Sequence, residues 1–356
     1  MSNATRYLAV INTAFSPEFI LTNAIKDIQT AGINLSDEQT VEFRNKTIKN
    51  WRKSLRAARR VEKDPQAEGE WENYYRNYAA AGGKVGFFTS MKTPEVMLSE
   101  LQKDINQLSS EKASKLYLSP KGNAKKLIKL ISRTNTAVEN AIRLSAFQSA
   151  IEAGVSVEEA ASLAKNLTVN FNRKGEWGGI INSMYLFYNA SIQGSFRLFQ
   201  AIGRSKKIRN ISMGIVAGAF FLDMFNRALA EDDDDGRNKY DKINGWIKGH
   251  NLIFMNPFET GPAYIAIPMP WGYNWLSIAG QTMASSMPED MGGSRKNEIT
   301  IGENAARTAT GLIDAFSPVP VGNNLVDVIS PAVIKPATQL IMNKDYAGRA
   351  IYPPDN

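Results

Sequence analysis

A chain of 356 residues with no cysteine and a single histidine, His250, excludes disulfides, thiolate metal sites, cysteine nucleophiles and histidine-built zinc clusters. Apolar residues make up 43% and charged residues 22%, a globular balance, and a formal charge of +7 favours acidic partners: nucleic acid, anionic lipid or an acidic protein. The length suits one large or two modest domains, and the N-terminus carries no signal-peptide pattern.

Ser16-Pro17-Glu18 predicts a helix start, with a cap residue, then proline at the first helical position, then an acid at the positive dipole end. Gly32 is the expected stop. Ser36 with Gln39 three residues on reads as a capping box for the next helix. Val41, Ile48, Trp51, Leu55 and Ala58 recur at helical spacing and predict its core stripe. Its other faces carry Arg44, Lys46, Lys49, Arg52, Lys53, Arg56, Arg59, Arg60 and Lys63, the strongest basic patch in the chain. Such a patch is either a solvated face with ion pairs or a surface for phosphate or anionic lipid.

Trp71, Tyr74, Tyr75 and Tyr78 share one helix face, which reads as core rather than as a stacking platform. Ala81 to Phe88 is a glycine-rich loop without the Gly-Lys-Ser/Thr of a phosphate loop. Thr93-Pro94-Glu95 starts a further helix to about Ser109. Lys121 to Ala153 predicts a long helix closed by Gly154, and Ser156 with Glu159 caps another that runs to about Thr168.

Two apolar helices follow, joined by the basic link Arg204 to Arg209 and closed by the acidic run Glu231 to Asp235. Gly178 to Phe196 carries no formal charge and matches the roughly 20 residues a membrane span needs, but holds Asn182, Ser183, Asn189, Ser191 and Gln193. Ile211 to Leu222 is too short to span. Small residues such as Gly194, Gly214 and Gly218 permit close helix packing. The pair reads as a buried hairpin of a globular core or as a segment that meets a bilayer after a conformational change. The mean hydropathy of −0.28 argues against a standing integral membrane protein.

Glu231, Asp233, Asp235 and Gly236 fit the first half of a calcium loop, but the twelfth position holds Lys242 instead of a glutamate, so no metal site is expected. Tyr240 to Lys248 predicts a short helix, Leu252–Met255 and Tyr264–Ile267 two strands, and Trp271 to Met287 an apolar helix. Met291 to Lys296 reads as an exposed loop, Thr300 with Glu303 opens a helix to about Phe316, and a proline-punctuated tail ends the chain. No nucleophile motif surrounds His250, and no catalytic, cofactor or metal residues are nominated.

Several segments carry a resemblance. They are Thr168 to Gly175, Tyr188 to Gly194, Asp232 to Ile243, Ile265 to Asn274 and Asn343 to Ile351, with Ser16 to Asn23 and Asp27 to Ala31 upstream. In this order they resemble the thirty-eighth type of the large polyvalent protein-associated domains of phage and prophage giant proteins. The resemblance implies a protein of phages and mobile elements, travelling with or ahead of incoming DNA, with no enzymatic activity of its own. It implies other phage proteins as partners, and a location in the virion or in the host cell after infection, with possible envelope association.

The expected fold is mainly α, a multi-helix protein with a small β-hairpin insertion. The expected division is an N-terminal helical region, 1–120, and a C-terminal region, 121–356. The candidate DNA or anionic-lipid contacts are Arg44, Lys49, Arg52, Lys53, Arg56, Arg59 and Arg60. The candidate membrane or packing segment comprises Met184, Tyr185, Leu186, Phe187, Ile192, Gly194, Phe220, Phe221 and Leu222. The expected roles are a virion or ejection component touching DNA and envelope, an intracellular protein organising incoming DNA, or a docking module for larger phage proteins. Self-association is a further expected partnership.

Overall fold

The computed structural model describes residues 17–38, 40–85, 122–168, 188–232, 238–258, 260–288 and 291–293, with residues 308, 309, 311 and 340. Among them it is mainly α, with nine helices and one antiparallel hairpin. The chain divides into two compact units, residues 1–186 and 187–356. The expected division at 120/121 falls between described segments. The helices expected near 93–109 and 300–316, the first half of the uncharged run and the C-terminal tail also lie outside the described residues, apart from the few named above.

The first unit holds α1 (Pro17–Glu38), α2 (Val41–Lys63), α3 (Glu70–Ala80), α4 (Gly122–Glu152) and α5 (Val157–Asn166). Gly32 does not stop α1. A Cβ at this position would lie 3.7 Å from Ile48 Cδ1 of α2, an ordinary contact, and the helix runs on through it to Glu38. Ser36 is likewise inside α1, and the cap of α2 is Thr40, whose side chain accepts from the Phe43 N–H. The expected cap at Ser156 is present, accepting from Glu159 N.

Of the apolar stripe expected on α2, Ala58 is fully buried and Trp51 and Leu55 are half-buried, but the buried face is centred to one side of it. Val41 is 58% exposed and Ile48 is exposed, whereas Thr47, Ser54, Ala57 and Val61 are buried. The cause is α4, which presents hydroxyls. Ser145 Oγ donates to the Thr47 carbonyl at 2.6 Å, and Thr47 Oγ1 meets Ser149 Oγ at 3.3 Å. Trp51 and Leu55 pack both against the main core and toward Ile20, Ala24 and Val138.

From Ala137 to Ala150, α4 is buried on every face, and its polar positions find partners, as burial requires. Asn140 accepts from Val85 N (3.0 Å) and donates to Val85 O (2.6 Å), gripping that residue as a neighbouring strand would, and accepts from Tyr78 OH at 3.1 Å. The buried Arg143 donates to the Glu139 carbonyl and to Thr168. Tyr75 and Tyr78 sit in the core with Phe147, and Trp71 and Tyr74 pack against it, so the aromatic stripe of α3 is core.

The second unit holds α6 (Tyr188–Arg204), α7 (Lys206–Leu229), α8 (Gly245–His250), β1 (Asn251–Met255), β2 (Tyr264–Pro268) and α9 (Asn274–Ser285). The basic link is a break at Ser205 alone, which caps α7 by accepting from Ile208 N, and α7 runs beyond the expected Leu222. The helix expected from Tyr240 begins at Gly245, because Asn244 supplies the cap, accepting from Trp246 N at 2.8 Å. The hairpin pairs Leu252 with Ile267 and Phe254 with Ile265. Asn226 of α7 closes the outer edge of β1, donating to Ile253 O at 2.7 Å and accepting from Met255 N at 3.0 Å. Gly280 lets α9 lie against α7, since a Cβ there would come within 2.3 Å of Val216 O.

Candidate nucleic-acid interface

At about 100° per residue, Lys46, Lys49, Arg52, Lys53, Arg56, Arg59, Arg60 and Lys63 fall within an arc of roughly 140° on α2. The rest of the circumference is taken by the buried face and its apolar flank. All eight side chains are exposed. At about 1.5 Å per residue the stripe is roughly 25 Å long. Arg44 falls outside this arc, is half-buried, and its guanidinium reaches Asn45 Oδ1 at 3.5 Å.

Two of the eight are neutralised. Lys46 pairs with Glu152, and Arg60 pairs at 2.8 Å with Glu72, a carboxylate buried at the start of α3. Among the described residues, Lys49, Arg52, Lys53, Arg56, Arg59 and Lys63 have no carboxylate partner. Glu62, the one acid in the C-terminal half of α2, faces away and binds Lys84 and Tyr75 OH, each at 2.6 Å. That carboxylate and burial together push the Tyr75 hydroxyl well above the usual phenol range, burial being the larger cause.

Six neighbouring cations without counter-charges set up a positive field that a polyanion relieves. The chemistry is coulombic only. The apolar side of α2 is used up within the unit, where Phe43, Ala57, Ala58 and Val61 are buried. A helix that lies in a lipid interface needs that side free.

The second nominated segment is reached only in part. Met184 to Phe187 lie outside the described residues, and Ile192 and Gly194 are placed only as helical positions in α6. On α7, Phe221 is 67% exposed, while Phe220 and Leu222 are half-buried. Among the described residues α7 is the one helix long and apolar enough to cross a membrane. Its C-terminal third, however, is tied into the unit by charge. Asp223 and Arg227 form an ion pair, both buried. Asp223 also accepts from Tyr240 OH at 2.6 Å, and Arg227 reaches Asp241 at 3.1 Å and Ser285 at 3.0 Å. Burial lifts the Asp223 carboxyl above its ordinary range, against the opposing pull of Arg227 and of the Tyr240 hydrogen bond.

This cluster was not nominated from sequence. The available signal was an acid and a base four residues apart inside an apolar helix, a spacing that puts them on one face. His250 is buried, stacked on Trp246 at 4.6 Å and 3.0 Å from the Trp246 carbonyl, a structural placement. Among the described residues no group of acids and histidine is arranged to hold a metal. Asp233 to Asp235 of the acidic run lie outside them, while Glu231 pairs with Lys239 at 2.9 Å.

Residues 237–356 match the family model of large polyvalent protein associated domain 38, the family that the segments from Asp232 onward resemble. Over this C-terminal third the chain is similar to a phage-associated domain. The match begins inside the second unit. Tyr240, Asp241 and Ser285 lie within it, and hold Asp223 and Arg227 of α7, which lies before it. No curated protein and no solved structure matches the chain.

Proposed function

With its C-terminal third matching a phage-associated domain, we propose that the protein is a non-enzymatic companion of phage DNA that binds duplexes without sequence preference through α2. The observation that carries this reading is the row of six exposed cations on one helix face that have no carboxylate partner among the described residues. Phosphates attract such a row wherever they occur, and side chains of this kind position a protein on a duplex without reading bases. DNA is favoured over anionic lipid because the apolar side of α2 is spent inside the unit. The protein accompanies the genome in the virion or meets it in the host cell.

The test is fluorescence anisotropy of two 30-base-pair duplexes of unrelated sequence, beside flotation with phosphatidylcholine/phosphatidylserine vesicles. Equal binding of both duplexes, with no vesicle binding at moderate salt, is expected. Vesicle binding without duplex binding, or a strong preference for one duplex, refutes the reading. Mass spectrometry of particles before and after genome release then separates the two settings. Presence before and loss after marks an ejected protein, and absence from particles restricts it to the host cell.

A further inference from the structure

We propose that α2 holds nucleic acid by one sugar–phosphate strand at a time, so that single-stranded DNA and RNA are ligands of this surface as well as duplexes. The inference rests on the reading of α2 as a DNA-binding face and adds which part of the polymer that face takes.

The direction of the cations carries it. Phe43, Thr47, Ser54, Ala57, Ala58 and Val61 mark the side on which α2 is buried. At about 100° per residue, Arg52, Arg56, Arg59 and Lys63 fall within roughly 60° of arc on the diametrically opposite side. All four are exposed, and among the described residues none of them has a hydrogen bond, ion pair or ring contact. Lys49 and Lys53 lie to one flank of this line. The same flank holds Lys46 and Arg60, which Glu152 and Glu72 neutralise. The open charge is therefore a single line. On a helix about 10–12 Å across, 60° of arc is a strip roughly 6 Å wide, too narrow to touch both walls of a major groove about 12 Å wide.

Nor does α2 enter that groove. A major groove admits one helix whose sides are free. α4 lies along the buried side of α2, and α1 and α3 lie beside it. Packed helices stand about 8–10 Å apart, so the layer is wider than the groove. α2 thus meets a duplex from outside, on the ridge formed by one backbone. A free strand offers the same ridge.

The bases add nothing to this contact. Trp51, Trp71 and Tyr74 are only partly buried but pack against the core of the unit. The outward strip itself is arginine and lysine, with no ring on which a base stacks. Charge alone holds the strand, and the 2′-hydroxyl that separates RNA from DNA goes unread.

The test is anisotropy of the full chain with labelled 30-nucleotide oligothymidylate and oligouridylate, beside a 30-base-pair duplex. A further duplex carries neutral methylphosphonates along the whole of one strand. Counterion release gives a salt slope of about −0.7 per contact on a single strand and −0.9 on a duplex, so six contacts give roughly −4.2 and −5.4. At 100 mM salt both single strands should bind alike, on the order of tenfold more weakly than the duplex. The half-neutral duplex carries the charge of one strand and should bind as the free strands do. Arg52→Gln with Arg56→Gln and Arg59→Gln should weaken every one of these ligands, by about 10² to 10³. Duplex binding without strand binding overturns the inference alone. So does a half-neutral duplex that fails to bind, or strand binding that survives the three glutamines. If the intact duplex does not bind either, the reading of α2 as a nucleic-acid surface falls, and this inference with it.

Discussion

Neutralising Arg52, Lys53, Arg56 and Arg59 as glutamines leaves α2 with Lys49 and Lys63 as its unpaired cations. The four positions are exposed, so the fold has little reason to change. Each phosphate contact contributes about −0.9 to the slope of log K against log salt. Six contacts give a slope of roughly −5.4, and the two left in the variant roughly −1.8. Between 50 and 200 mM salt the wild type therefore loses about three decades of affinity and the variant about one. At 100 mM the four lost contacts lower affinity by roughly 10³ to 10⁴, the upper end holding only if all four meet phosphate together.

The assay is anisotropy of a labelled duplex at four or more salt concentrations. The substitutions also reduce the net charge from +7, so a control is needed. Lys165, Arg204, Lys206 and Lys242, all exposed outside α2, are changed to glutamine together. This control should keep a slope near that of the wild type. If the α2 variant keeps the wild-type slope, or the control loses as much, binding follows overall charge and the stripe has no part in it.

Further outcomes follow from the packing. Asn226→Ala leaves the Ile253 carbonyl and the Met255 N–H unpaired and should cost about 2–4 kcal/mol in chemical denaturation; a loss under 0.5 kcal/mol would show that the grip on β1 is dispensable. Arg227→Met strands the buried Asp223 and should cost about 3–5 kcal/mol, whereas Asp223→Leu combined with Arg227→Met should cost far less; equal losses would mean that the charges are not coupled. Gly83→Ala drives a Cβ to 2.3 Å from the buried Tyr78 ring and should destabilise by about 1–3 kcal/mol, while Gly203→Ala, which meets nothing, should not. Because Asp223 has a raised carboxyl pKa, the native state holds its proton more tightly than the unfolded chain does. Its contribution is therefore fully present below the unfolded value of about 3.9 and is lost as pH rises through the native value. The stability of wild type minus Asp223→Asn should fall as pH rises through that window, and an increase would contradict the assignment.

The helices were legible where capping and periodicity agree. Ser156 and Glu159 placed the start of α5, and the short apolar runs Leu252–Met255 and Tyr264–Ile267 placed the hairpin. Gly32 and Ser36 misled because glycine and serine are tolerated inside a helix as well as at its ends. The face of α2 was harder. Thr47 reads as surface until Ser145 and Ser149 of α4 meet it with hydroxyls, which only tertiary structure reveals. The basic stripe was visible as composition, but which of its members lack a carboxylate depended on Glu72 and Glu152, remote in sequence from Arg60 and Lys46. Asp223 and Arg227 were concealed because single charges at the end of an apolar run ordinarily mark a boundary.

The Asn226 side chain has a further effect on the hairpin. Its amide takes the outward-facing Ile253 carbonyl and Met255 N–H, so β1 has no free rim for another chain to join. On the opposite rim β2 offers only five residues and ends in Pro268, which has no N–H to give. Ribbons of this length with exposed Ile265 and Ile267 are otherwise seeds for fibre growth. The hairpin thus has little open edge with which to recruit another copy of the chain.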